Sequence, residues 1–415
     1  MRISTIINIV AILVMLYVFF PVSNIYIKTT ALTGVNVLTQ SFVMYGLIFL
    51  IALKNYRIFG SKPLLLCYVF YIIYFVFRLS GYYDTANQWF GRYHFSIFLS
   101  VLIYTYYIEK KDYHSLGLVS FCAVVFVVAS AILNVVQLTR FPAAARGMST
   151  EVEYFTIIGV ARYGIITGLS FTIPIIVAQY KLLKQKGIVN ISIVIVTLVC
   201  LYSTYLSALS APILISILGV LFAIFGSRKL KQSSVALGIF VFLIVITPRT
   251  IMSHLFYLAS INTGQKDISM KFNDIGLSIE EGIDVSQPAN SIEYRAERIP
   301  QLVKKFLINP AFGTGYEENA HIFWLNYLAQ FGLLGTYPLV LILYSQVKAN
   351  LKIFAVEYHY YYLLAISLFI VLGFMKAYSA DMMYFAFFLL PGSYYIKFLN
   401  IAPIDEVIHE NVKLL

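Results

Sequence analysis

Of the chain's 415 residues, 60% are hydrophobic, 16% aromatic and only 12% charged. Soluble domains carry roughly one-quarter charged residues, so most of this surface must face lipid and a water-soluble globular fold is excluded. The net charge of +11 is scattered over short connecting segments. It therefore describes membrane topology rather than a nucleic-acid footprint.

A helix crossing a bilayer needs roughly 20 apolar residues. The first such segment, 4–22, follows a lone Arg2 and leads into Pro21-Val22-Ser23-Asn24, which offers no small-x-small cleavage site, so it reads as an uncleaved first helix. Further spans follow at 35–53, 63–77, 90–107, 116–136, 158–178, 188–203, 206–225, 235–246, 321–344, 360–374 and 381–396. Cys67, Cys122 and Cys200 each sit inside an apolar run with no second ligand at metal spacing, which suggests neither a disulfide framework nor a metal site. Every second connection is basic: Lys54/Arg57/Lys62, Lys110/Lys111, Lys181/Lys184/Lys186, Arg228/Lys229/Lys231 and Lys348/Lys352. Because Lys and Arg accumulate in cytoplasmic loops, both termini are expected in the cytoplasm.

The expected architecture is an all-α polytopic membrane protein of about twelve transmembrane helices. Residues 1–247 hold helices one to nine, 248–319 form one large extracytoplasmic loop, 320–399 hold helices ten to twelve, and 400–415 are a cytoplasmic tail. A loop of about 70 residues is far beyond the usual connection and points to function. No Walker A, dinucleotide loop, Asp-x-Asp pair, HExxH or GxSxG occurs, which argues against nucleotide, metal-hydrolase or serine-hydrolase chemistry.

Candidate residues gather around that loop. Ile292, Ala296, Ile299, Leu302, Val303, Phe306 and Leu307 fall at helical spacing. In projection Arg295 points with this stripe, Arg298 and Lys305 lie toward its edge, and Glu293, Glu297 and Lys304 point away. Arg295 is either a functional cation or an arginine snorkelling to headgroups. Next comes Asn309-Pro310-Ala311-Phe312-Gly313-Thr314-Gly315, and Asn319 is expected to cap a helix that holds His321 in its first turn. The helix dipole would keep that imidazole neutral and able to accept a proton, although a lone interfacial His is often an ordinary surface residue. Arg162 opens the sixth span, where a charge costs roughly 2.5 to 3.5 kcal/mol in lipid and so faces a cavity or partner. The adjacent Gly164 and Gly168 suit close helix packing. Tyr82, Tyr83, Trp89, Tyr316, Phe323 and Trp324 suit sugar stacking, but equally an interfacial aromatic belt.

Tyr294-Arg295, then Pro310-Ala-Phe-Gly-Thr-Gly315, His321-Ile-Phe-Trp-Leu325 and Gly332-Leu-Leu-Gly335, in letters and spacing, resemble the signature of the bacterial O-antigen polymerase and ligase superfamily. Ile322 stands where that family has Asn. The local likeness covers roughly 40 residues, and the helix count and loop position extend it loosely over the chain. The resemblance implies a GT-C-like membrane glycosyltransferase in the bacterial inner membrane, with its site on the extracytoplasmic face and no metal or other cofactor. Donor and acceptor would be glycans on undecaprenyl pyrophosphate, and the role a chain-building one in lipopolysaccharide, capsule or exopolysaccharide biosynthesis. A chain-length regulator and a flippase would be compatible partners beside the lipid bilayer, and nucleic acid is not one. Carried over by position, Arg295, with Arg162 and Arg298, would hold the pyrophosphate. His321 would be the catalytic base, and Glu317, four residues earlier, would orient it if the helix starts early. The polymerase branch is favoured; a ligase to lipid A core, or a polysaccharide transporter or flippase without catalysis, are the alternatives.

Overall fold

The computed structural model describes residues 3–19, 37–81, 88–141, 163–182, 188–207, 209–225, 249–264, 266–281, 293–315 and 322–400, and among them every regular element is helical. The first eight are α1 Ile3–Val14 with a π-helical extension Met15–Phe19, α2 Val37–Asn55, α3 Lys62–Leu79, α4 Gln88–Glu109, α5 Tyr113–Arg140, α6 Tyr163–Leu182, α7 Ile188–Leu206 and α8 Ser210–Phe225. There follow α9 Arg249–Asn262, α10 Lys266–Glu280, α11 Glu293–Ile308, α12 Phe323–Ile353 and α13 Val356–Gly373. The last run, α14, opens as Ala380–Tyr384, becomes π-helical over Phe385–Leu389, and ends through Leu390–Gly392 in the 3-10 helix Ser393–Asn400.

Described helices overlap the expected segments other than 235–246, which lies outside the described residues, as do 20–22, 35–36, 158–162, 208 and 321 of the others. Seven described helices are long and apolar enough to cross a membrane, and three shorter apolar ones, Ile3–Tyr17, Asn190–Leu206 and Ala211–Ile224, join them. The chain is therefore an all-α, membrane-embedded protein. In the stretch 248–319, helical order was expected in the second half; the first half holds it too, as the antiparallel pair α9 and α10. Ser253 and Tyr257 of α9 donate hydrogen bonds of 3.2 and 3.0 Å to Glu280 at the end of α10. Ile268 of α10 packs with Ile213, seating this hairpin where α7 meets α8.

Three helices form the centre. Residues 96–107 of α4, 164–178 of α6 and 381–395 of α14 are buried all round, as expected of helices shielded from solvent and lipid alike. By contrast, α2 turns Leu38, Phe42, Tyr45, Phe49 and Leu53 outward at 62–80% exposure. Their spacing traces one outward stripe, the face a membrane helix gives to acyl chains. Glycines set the closest approaches: a methyl group on Gly168 would strike the Phe385 ring, and one on Gly117 would strike the Tyr395 carbonyl.

Cross-helix contacts among the described residues sort into two ends. At one end Phe77 meets Phe312, His94 meets Tyr327, Phe323 stacks on Tyr378, and Gly164 abuts Ser379 and Asp381. At the other, Tyr107 donates to Asn8 (2.7 Å), Asn8 to Ser115 (3.1 Å), and Tyr360 to the Phe222 carbonyl (2.9 Å). There too the Tyr104 hydroxyl donates to Asn350 Oδ1 (2.5 Å), and Asn350 Nδ2 donates to the Tyr362 hydroxyl (2.7 Å). Asn350 is fully buried, so these bonds tie α4, α12 and α13 together where no water competes. Asn350→Leu keeps the volume but orphans two hydroxyls, each at a cost of about 1–3 kcal/mol. The expected outcome is a clearly lowered unfolding midpoint of the detergent-solubilised protein, and an unchanged midpoint would show the network to be dispensable.

Candidate functional site

Beyond α11 the chain turns tightly through 309–315. Asn309 closes this turn: its carbonyl accepts from Gly313 N (2.8 Å) and its side-chain Oδ1 from Phe312 N (3.3 Å). The turn is then clipped onto α12 at the point where that helix is broken. Gly332 has φ 60° and ψ −165°, so α12 is two half-helices meeting at one extended glycine. A break there removes the helical bonds 333→329 and 334→330, leaving two carbonyls and two amides to be satisfied. The loop satisfies all four. Thr314 N and Gly315 N donate to the carbonyls of Ala329 (2.9 Å) and Gln330 (3.0 Å), while Leu333 N and Leu334 N donate to the carbonyls of Pro310 (2.8 Å) and Ala311 (3.0 Å).

Two glycines permit this contact. Gly313 and Gly332 both have positive φ, and a methyl group on either would sit 2.3–2.5 Å from backbone atoms of the other segment. Backbone cannot swing aside as a flexible side chain can. The Pro-x-x-Gly-x-Gly and Gly-Leu-Leu-Gly stretches, separate in sequence, are thus the two halves of one joint.

The joint fixes α11 against the first half of α12. Leu302 is 3% exposed and shares a cluster with Ile322 and Ala329, on which Phe306 and Leu325 also pack. The expected stripe is split: Ile299, Val303 and Leu307 face outward at 40–64% exposure. Arg298, expected at the stripe's edge, instead lies one helical turn from Leu302 on the inward side. It is half-buried, and its Nη1 is fully buried with no hydrogen-bond partner among the described residues. The reason is tertiary, since α11 is clamped by a joint that its own periodicity does not contain. Pro300 lies inside the helix, which continues through it to Ile308. Arg295 lies in the first turn of α11, seven residues and about two turns before Leu302.

His321, Glu317 and Arg162 lie outside the described residues. The flanking geometry nevertheless corrects the expected start of the helix. The N-cap of α12 is Ile322, in extended conformation and without a side-chain cap bond, not Asn319. Phe323 N instead donates to the Lys376 carbonyl (3.2 Å), so a neighbouring turn does the capping. His321 therefore precedes the helix rather than occupying its first turn, and Glu317 lies further along the same segment outside the described residues. His321 is next in sequence to Ile322, which packs in the Leu302 cluster. Arg162 immediately precedes α6, whose Gly164 abuts Ser379 and Asp381; Asp381 is 2% exposed.

Phe323 and Trp324, considered for sugar stacking, are used in packing. Phe323 stacks on Tyr378 at 4.8 Å, and Trp324 Nε1 donates to the Ile370 carbonyl at 2.8 Å, with Gly373 leaving room for the indole.

Set against known proteins, the chain matches no protein-family model and no curated protein. Geometry and motif spacing therefore carry the functional reading.

Three buried polar residues at this end were not singled out from sequence. His94, 4% exposed, stacks on Phe70 at 3.7 Å and shares a 2.7 Å hydrogen bond with Tyr327. Asn326 and Gln330, 9% and 1% exposed, lie four residues apart in α12; Asn326 Oδ1 and Gln330 Nε2 are buried with no partner among the described residues. Each was flagged in principle by being polar inside an apolar span.

Gly313→Ala and Gly332→Ala should each lower the unfolding midpoint. The positive φ alone costs on the order of 1–3 kcal/mol, before the backbone clash is counted. Gly46→Ala, at a position with nothing within 4 Å, is the matched control and should melt as wild type. Equal melting of all three in a thermal-shift assay would show that the joint does not hold the end together.

Proposed function

We propose that the chain polymerises undecaprenyl-pyrophosphate-linked oligosaccharide repeat units into a surface polysaccharide, by glycosyl transfer at the outer face of the bacterial plasma membrane. The observation that carries this reading is the joint: the two glycine motifs named for the resemblance are one built unit, and that unit holds the arginine helix against the residue following His321. Motifs with no common purpose would have no reason to interlock backbone to backbone.

The chemistry matches the residue types. A polyprenyl tail gains about 0.8 kcal/mol per buried CH₂, so the donor stays in the bilayer and the reaction must come to the headgroup plane. In the transfer an acceptor hydroxyl oxygen bonds to the anomeric carbon, the bond from that carbon to the pyrophosphate oxygen breaks, and the electron pair leaves with the pyrophosphate. Arg295, supported by Arg298 and Arg162, neutralises the leaving diphosphate by bidentate hydrogen bonds. His321 takes the hydroxyl proton, a contribution typically worth about 10²–10⁴ in rate. The buried, unpaired Nη1 of Arg298 supports an anion or polar ligand at this end of α11.

Deleting the gene and separating the surface glycan on a gel tests the reading. Core carrying a single repeat unit is expected. Bare core with accumulating lipid-linked polymer would mean a ligase, and loss of all outward glycan would mean a flippase. Arg295→Ala and His321→Ala should each abolish elongation with normal insertion, and Arg295→Lys should also be poor because an ammonium lacks the fork geometry. Wild-type elongation by either alanine variant would remove that residue from the mechanism.

A further inference from the structure

By helical register at about 100° per residue, Ile322, Leu325 and Ala329 form the face of α12 turned to α11, whereas Phe323 and Tyr327 turn to Tyr378 and His94. Asn326 and Gln330 fall between these faces. They therefore line the seam where α11 meets the transmembrane bundle, and Arg298 enters the same interface from the other side, on the Leu302 face.

Buried amide groups are almost always hydrogen-bonded, and an unpaired one costs free energy that a well-packed apolar residue would not. Here an acceptor, Asn326 Oδ1, and a donor, Gln330 Nε2, are unpaired among the described residues one helical turn apart, with a third such group, Arg298 Nη1, in the adjoining helix. We infer that this seam is a carbohydrate subsite, in which Asn326 and Gln330 take the hydroxyl groups of a sugar of the lipid-linked glycan. The inference rests on the proposed use of such a glycan and assigns it a place.

The chemistry selects the ligand class. A sugar diol both donates and accepts, and so complements a carboxamide pair spaced about 6 Å along a helix, the reach of one ring. Turning either carboxamide over exchanges its donor for its acceptor and leaves the same requirement. An isolated phosphate, which only accepts when ionised, would meet the Asn326 oxygen unfavourably. The adjoining guanidinium suits the sugar nearest the pyrophosphate, where hydroxyls and negative charge lie together.

The test uses the full-length protein in detergent and two probes: lipid-linked oligosaccharide extracted from the gene-deletion strain, and undecaprenyl pyrophosphate without sugar. Asn326→Leu and Gln330→Met keep the side-chain volume and remove the unpaired groups. The wild type should prefer the sugar-bearing lipid, and each variant should bind that lipid about tenfold more weakly while binding the bare lipid as before. Each should also insert and melt close to wild type, because the groups assigned to the sugar hold no partner among the described residues. Several results would overturn the subsite: unchanged affinity for the glycan lipid, equal loss of both probes, no wild-type preference for sugar, or variants that fail to insert, which would assign the amides to folding. Elongation is scored separately. A wild type that binds the glycan lipid through these amides yet makes no polymer ends the transferase reading and leaves the subsite, whereas variants that bind and elongate as wild type end the subsite alone.

Discussion

A membrane helix broken in its interior has to find four new hydrogen-bond partners in a place with little water to supply them. In this protein the break at Gly332 is completed by backbone from 310–315, and nearly everything of functional interest at that end follows from the match. It anchors the C-terminal end of α11, and thereby presents Leu302 and Arg298 to the first half of α12. It also separates that first half, with its buried Asn326, Tyr327 and Gln330, from the longer second half. Because both sides of the contact are main chain, neither can relax by a rotamer change. The joint is accordingly rigid, the property a site needs if charged and polar groups are to be held in place for a transition state.

Buried polar groups occur at both ends of the bundle. At the end that holds Asn350, buried tyrosine hydroxyls and asparagine amides satisfy one another, linking α1, α4, α5, α12 and α13. These bonds specify the packing there, beside Gln346 Oε1 and Tyr395 Oη, which are buried without a partner among the described residues. At the Gly332 end, Arg298, Asn326 and Gln330 leave buried polar atoms unpaired among the described residues. What sets these three apart from the unpaired atoms elsewhere in the bundle is their place beside the glycine joint. In the proposed reaction their partners are the glycan and its pyrophosphate.

The legible part of the fold was legible for a physical reason. Apolar runs long enough to cross a bilayer cannot be anything but helices, because hydrocarbon offers the backbone no other partners. Hence the segments beginning near 37, 62, 113, 163, 323 and 356 were recoverable from hydropathy alone. The stretch 248–319 was harder, since its helices are shorter and amphipathic, and α9 and α10 owe their order to each other and to Ile213 rather than to lipid. The start of α12 was misplaced by a few residues because its capping partner, the Lys376 carbonyl, lies some fifty residues away. Local capping rules contain no such term.

What the sequence determined by itself was the solvent, the helices and the presence of two glycine motifs at fixed spacing, all of which depend on neighbours within a few turns. Only the tertiary structure decided that those motifs meet, that Arg298 rather than the stripe's outer aliphatics faces inward, and that Asn326 and Gln330 line the same seam. Each of these depends on where a break in one helix finds donors and acceptors in a distant loop, and side-chain periodicity carries no record of that pairing.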